Sequence, residues 1–397
     1  MAESRQRPGG EPAPQPRPLA ERRIAEVLAT STGGVGTHLR SVLPALGRAG
    51  AAVRVCGPLA TEELFAFTAT GADFRPVGIS AGLAPLADLR AVLALRRATT
   101  GADLVHAHGL RAGLVAAAAR RLAGERARPL VLTLHNALPE GGGLRRRVLQ
   151  AAERATIRGA DLVLAASGDL AANARRLGAR DVRVAPVSAP PLPPAQRSRP
   201  EVRRDLGLDD DLRPLVVAVG RLHPQKGYDV LLDAVQRWTT DPRLRSAPPR
   251  VVIAGDGPLE QALSEQIGAR RLPVSLLGRR TDVADLLGAA DVCVLPSRWE
   301  ARSLTAQEAL RAGTPLVATR VGGIPELVGD AADLVPDGDA AALADAVAAV
   351  LTDPGRTARL SAAGLRQAAS WPDEAGTARQ LVAVYRELLG PPGGPHR

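Results

Sequence analysis

One lysine stands among the 51 lysine and arginine residues of this 397-residue chain. It is Lys226, in the stretch "VAVGRLHPQKGYDVLL", with Arg221 just before it and Gly227 just after. The two cations flank a turn shaped by Pro224 and Gly227, at the end of a strand-like apolar run. A diphosphate fits there, because arginine offers a planar fork and lysine a compact charge that can follow a phosphate as it moves. A solvated loop with an incidental basic pair fits the same spacing.

Downstream, "PSRWEARSLTAQEALRAGTPLVATRVGGIPELV" places Glu300 in a loop and Glu308 inside a helix that opens near Ser303 or Leu304. The rise along a helix puts the two carboxylates on the order of 10 Å apart, too far to share one atom. They suit two ends of an extended ligand, with phosphate between them on the amides of Arg302, Ser303 and Leu304. The competing reading makes Glu300 a capping group and Glu308 a surface salt-bridge partner. Upstream, "LATSTGGVGTHLRSVLPAL" follows a strand with Gly33, Gly34 and Gly36 and then a helix expected to open near Thr37. Glycines let the backbone approach a ligand closely, though a tight turn without a ligand reads the same way. The spacing is not that of a dinucleotide fingerprint.

The elements that must position these residues read as β-α-β repetition. "RIAEVLAT", "AVRVCGP", "DLVHAHG", "PLVLTLHN", "DLVLAAS" and "VRVAPV" read as strands, separated by segments such as "LADLRAVLALRRA" with helical periodicity. The pattern restarts at "PLVVAVG" and runs through "RVVIAGDG", "VSLLGRR", "DVCVLPS" and "PLVATRVG". Two α/β domains follow, each Rossmann-like with a doubly wound parallel sheet, facing a cleft at the carboxyl ends of their strands. The expected organisation is a disordered tail over 1–22, a first domain over 23–187 and a Pro- and charge-rich connection over 188–212. A second domain covers 213–370, a helix over 371–390 crosses back to the first domain, and a flexible tail covers 391–397.

Composition limits the function classes. Hydrophobic residues at 45% and charged residues at 23% are ordinary for a globular protein, and the 2% aromatic content leaves the core to Ala, Val and Leu. "AGLVAAAA" is too short to cross a membrane, and the N-terminal stretch lacks the apolar segment of a secretion signal, so a cytoplasmic protein is expected. The net charge of +10 invites a nucleic-acid reading. Scattered arginines without interleaved aromatics argue against it, and no nucleic-acid partner is expected. Cys56 and Cys293 lie in separate apolar runs, which disfavours a disulfide or a thiolate metal site. His106 and His108 share a strand face, but no further metal ligand is apparent nearby. Arg145 to Arg147 open a helical pattern suited to a solvated face or, alternatively, to anionic lipid at the inner membrane face.

Taken in order, the "GGVG" loop, "DLVHAHG" with "TLHN", "GRLHPQKGYDVLL" and the pair spaced E-x7-E resemble retaining glycosyltransferase family 4, across nearly all of the chain after residue 22. The resemblance implies the GT-B fold and transfer of a hexose-type sugar from a nucleoside-diphosphate sugar to a hydroxyl acceptor, small or lipid-linked. It implies that Arg221 and Lys226 grip the donor diphosphate, Glu308 the ribose hydroxyls and Glu300 the transferred sugar. His135 falls near the reaction centre, Gly33 and Gly34 on the loop that approaches the phosphates or the acceptor, and Arg279 where the backbone meets the nucleobase. Arg302 and Ser303 depart from the family's aromatic and glycine, which leaves open an unusually cationic pocket or an acidic donor sugar. The implied chemistry needs no cofactor and no metal: cations and a helix N-terminus stabilise the departing diphosphate, and Asp209 to Asp211 is a poor candidate for a metal motif. Two alternatives are an enzyme of the same architecture with other chemistry, such as a phosphorylase or sugar-nucleotide epimerase, and a silent nucleotide-sugar binder.

Overall fold

The structure, a computed structural model, describes residues 17–390 except 32, 81, 83, 125–127, 139–142, 190–192 and 209–212. Among the described residues the apolar runs form two sheets. The first holds β1 (Arg23–Leu28), β2 (Ala52–Gly57), β3 (Asp73–Pro76), β4 (Leu104–His108), β5 (Leu130–Leu134), β6 (Leu162–Ala165) and β7 (Val182–Val184), in the spatial order β3-β2-β1-β4-β5-β6-β7. The second holds β8 (Leu215–Val219), β9 (Arg250–Ala254), β10 (Val274–Leu276), β11 (Val292–Leu295), β12 (Leu316–Thr319) and β13 (Asp333–Val335), in the order β10-β9-β8-β11-β12-β13. Neighbouring strands run parallel in both.

Parallel sheets must be covered on both faces, and apolar helix stripes provide the cover. On the first sheet, Leu39, Val42, Leu43 and Leu46 of the helix Gly34–Arg48 pack on one face, and Ala112, Val115, Ala116 and Ala119 of the helix Leu110–Ala123 on the other. Each fully buried Leu or Val contributes about 1.5–3 kcal/mol relative to exposure. Strand order reverses between β1 and β4 in the first sheet and between β8 and β11 in the second. These reversals open the crevices where ligands bind in such sheets.

The structure corrects several expectations. The edge strands β3 and β13 were not expected, because each is short and neither is a plain apolar run. The glycine-loop helix opens at Gly34 rather than Thr37. Gly36 therefore lies inside it, where a Cβ would come within 2.2 Å of the Phe65 ring; packing explains this glycine without a ligand. The connection is not purely a linker, since its helix Arg199–Asp205 buries Val202 and Arg203 against the second domain, with Arg203 Nη1 donating to Asp291 at 3.1 Å. Residues 17–22 are not tail: Leu19 is fully buried in the core of the first domain, and its N–H donates to Ala49 O at 2.9 Å. Residues 1–16 and 391–397 lie outside the described residues, as does the Asp209–Asp211 triplet.

The helix Glu374–Leu389 lies on the first domain, with Leu381, Val384, Tyr385 and Leu389 in that core. Arg183 and Glu387 pair at 2.6 Å beside it. No helix among the described residues is long and apolar enough to cross a membrane.

Candidate active site

The loop after β8 carries Arg221 and Lys226, and the loop after its neighbour β11 carries Ser297 and Glu300. At this strand-order reversal Lys226 Nζ donates to Glu300 Oε1 at 2.5 Å, and Ser297 Oγ donates to the same oxygen at 2.7 Å. Glu300 is buried and the Lys226 side chain is 19% exposed. The short turn Pro224–Lys226 is tied to the β11 loop: Arg298 N–H donates to Gln225 O at 2.8 Å, and Gln225 Nε2 donates to Trp299 O at 2.8 Å. Gly227 ends that turn with φ 64°, and a Cβ there would lie 2.0 Å from Pro296 O. Only glycine permits this approach, and the approach aims Lys226 at Glu300.

Gly322 and Gly323 support the other side of Glu300. A Cβ on Gly322 would lie 2.0 Å from Glu300 O, and Gly323 N–H donates to that oxygen at 2.8 Å. These two glycines were missed in the sequence, where "VGG" reads as an ordinary loop.

Ser303 caps the helix Leu304–Arg311, its Oγ accepting from Ala306 N–H at 3.3 Å. Across the cleft a Cβ on Gly34 would stand 3.5 Å from Leu304 Cδ1, so the amino ends of two helices, one from each domain, approach one another. Both ends favour an anion. A cavity of 1140 Å³ opens beside them, lined by Gly33, Gly34 and His135 from the first domain and by Arg221, Lys226 and Arg279 from the second. Glu300, Glu308, Ser303 and Leu304 do not line it directly; Glu300 stands behind Lys226. Arg302 is turned elsewhere: its guanidinium lies 5.8 Å from the centre of the Trp371 ring, and its buried Nε has no hydrogen-bond partner. An unusually cationic donor pocket therefore gains nothing from this side chain.

Burial pushes the Glu308 carboxyl up to about 7, against the pull of Arg311 and Lys226. The folded-state value exceeds the ordinary 4.5, so stability carried by the protonated form is complete below 4.5 and lost as pH rises through about 7. Glu308→Gln stays neutral throughout. Its unfolding temperature is expected to gain on the wild type as pH rises from about 5 to about 8, measured by thermal melts. Parallel pH profiles would mean that Glu308 titrates as an ordinary carboxylate.

His135 follows β5 and is buried at the cleft, with its pKa held well below the ordinary 6.5 by burial and by neighbouring His108, His38 and His106. His106 and His108 do share a face, and the structure adds the third group that the sequence did not reveal, Glu26 of β1. Their ligand atoms lie within 4.8 Å of one another. Each is already engaged in hydrogen bonds, to Tyr385, Thr133, His135 or within the trio.

Two doubly wound domains that close such a cleft with the carboxyl ends of both sheets define the GT-B class. The profile described as "Glycosyl transferase 4-like domain" matches residues 33–190, and that described as "Glycosyl transferases group 1" matches residues 213–353. A D-inositol 3-phosphate glycosyltransferase of Xylanimonas cellulosilytica is 39% identical over 210 residues, covering 50% of this chain and 48% of that protein. The match thus spans about half the length of this relative. A 2-deoxystreptamine N-acetyl-D-glucosaminyltransferase of Streptomyces fradiae is 32% identical over 333 residues, covering 77% of this chain and 76% of that one. Among solved structures, Anabaena HepE in complex with UDP and glucose aligns with a TM-score of 0.77 at 23% identity, over 93% of this chain and 100% of that one. The chain belongs to the family 4-like glycosyltransferases and has the GT-B fold.

Proposed function

We propose that the enzyme transfers a hexose-type sugar, with retention of anomeric configuration and without a metal, from a nucleoside-diphosphate sugar to a hydroxyl acceptor. The observation that carries this reading is the cleft wall on which Arg221, Lys226 and Arg279 stand opposite His135 and the Gly33–Gly34 helix end. As the glycosidic bond breaks, negative charge develops on the diphosphate, and Lys226, Arg221 and the helix amides are placed to stabilise it. The acceptor hydroxyl attacks the face from which the diphosphate departs and gives its proton to a phosphate oxygen, so no side-chain base is obligatory. Glu300 holds the transferred sugar and Glu308 the ribose.

Among UDP-, GDP- and ADP-sugars, the UDP form is tested first, because the HepE structure contains UDP. The relatives are named for inositol 3-phosphate and 2-deoxystreptamine, so small hydroxylated acceptors precede lipid-linked ones. A thermal-shift panel of the three donor classes, in the presence of a chelator, is expected to single out one base. A donor at a hundred times its dissociation constant adds about 2.7 kcal/mol to stability. A shift that vanishes with the chelator would refute metal independence, and no shift with any donor would refute the reading itself.

A further inference from the structure

Behind His135 lies a buried chain of hydrogen bonds that reaches the crossing helix. On the sheet face beneath the helices Gly34–Arg48 and Glu374–Leu389, His108 Nδ1 stands 3.3 Å from His135 Nε2, and His108 Nε2 stands 2.9 Å from Glu26 Oε2. Tyr385 from the crossing helix donates to Glu26 Oε1 at 2.6 Å, and His106 bridges Tyr385 and Thr133 with contacts of 2.6 Å at each ring nitrogen. Glu26 is fully buried, and His106 and His108 are nearly so.

The protons in this chain can be placed by counting donors. Glu26 faces three donors, the Tyr385 hydroxyl at 2.6 Å, His108 Nε2 at 2.9 Å and His106 Nδ1 at 3.3 Å, and no acceptor among the described residues. It is therefore ionised and can only accept. Tyr385 spends its single proton on Glu26, so its oxygen must accept from His106 Nδ1–H. Burial lowers the His106 pKa, so the ring is neutral and its Nε2 is bare and accepts the Thr133 hydroxyl at 2.6 Å. As a neutral imidazole His108 gives Nε2–H to Glu26, which leaves its Nδ1 as the acceptor for His135 Nε2–H.

We propose that Glu26, acting through His108, fixes His135 as the Nε2–H tautomer, so that its bare Nδ1 is the acceptor for a hydroxyl in the cleft. Glu26 and His108 are positioning residues, and this role rests on the transfer reading above. A carboxylate behind one imidazole orients the next as it would orient a catalytic or metal-bound histidine. Neither Glu26 nor Tyr385 carries a sequence signal for this role: one is an acidic residue in a strand, the other an aromatic in a terminal helix.

The test separates charge from shape. Glu26→Gln keeps the shape of the side chain, accepts from Tyr385 through its amide oxygen and donates to His108 Nε2 through its amide nitrogen. That donation forces His108 into the Nδ1–H form and His135 into the same form. Glu26→Asp keeps the charge and loses a methylene. With only six histidines in the chain, nitrogen-15 histidine spectra of the full-length protein resolve the tautomers without any substrate. The wild type is expected to show His135 as Nε2–H and Glu26→Gln as Nδ1–H. The Gln variant is also expected to lose about 10- to 100-fold in kcat/KM while its dissociation constant for UDP stays within about twofold. Glu26→Asp should keep the wild-type tautomer and outperform Glu26→Gln. Wild-type His135 found as Nδ1–H, an unchanged tautomer in Glu26→Gln, or activity that follows shape instead of charge overturns the assignment. Because the spectra need no donor, failure of the transfer reading remains distinguishable from failure of this one.

Discussion

Lys226→Ala is expected to cut turnover at least about a hundredfold, equivalent to about 2.7 kcal/mol of transition-state stabilisation, while Lys226→Arg recovers only part of it. An ammonium has three donors, and Glu300 takes one of them at 2.5 Å, so the same group that anchors Glu300 can also meet a departing diphosphate. The alanine variant removes both roles and leaves Glu300 to Ser297 alone. Arginine restores charge but not form. The Lys226 stem passes Gly220 so closely that a Cβ there would lie 3.3 Å from its Cε, and Gly227 presses the following backbone against Pro296 O. A broader, planar guanidinium cannot follow that path without displacing its charge. Steady-state rates for the three proteins, with melting temperatures as the fold check, decide the matter. Wild-type turnover in the alanine variant would make the lone lysine an accident of composition.

Glu300→Gln is expected to spare or tighten the binding of free nucleoside diphosphate and to weaken the sugar-dependent part of binding and turnover by more than about tenfold. Loss of a charged hydrogen bond to a hydroxyl costs about 1.5–3 kcal/mol. The direction for the free nucleotide follows from the ion pair. Once Glu300 is neutral, Lys226 is released toward the phosphates. Combining Glu300→Gln with Lys226→Ala should give less than the sum of the two effects, because the side chains are in contact. Titration calorimetry with UDP and with the UDP-sugar separates the two contributions. Equal weakening of both ligands would refute the division of labour between Glu300 and Glu308.

Much of the architecture was legible because its causes are local. Apolar runs buried on both faces, separated by helical periodicity, specify parallel sheets wherever they occur, and the two blocks of such runs separated near residue 200. The site was partly legible for the same reason. Ligands in these sheets bind at the carboxyl ends of strands, so Gly33, Gly34, Arg221 and Lys226 could be picked from the loops that follow apolar runs, the family resemblance added His135 and Arg279, and the structure brings all six to one cavity. The unusual lysine was visible in composition alone.

What the sequence could not determine is which loops meet. Lys226 and Glu300 are 74 positions apart and touch because β8 and β11 are neighbours at the strand-order reversal, a fact of sheet topology that no local pattern encodes. Arg302 looked like a pocket residue by its place beside Ser303, yet its guanidinium lies 5.8 Å from the centre of the Trp371 ring, a neighbour 69 positions away that only tertiary packing brings to it. Gly227, Gly322 and Gly323 are required by backbone approaching backbone, which a sequence shows only as loop glycine. Glu26, His108 and Tyr385 form one buried chain only after three separate segments pack together. Local periodicity fixed the sheets and the loops that could carry chemistry. Tertiary packing alone decided the partners within them, because a hydrogen bond between distant segments depends on strand order and on the close approach of loops.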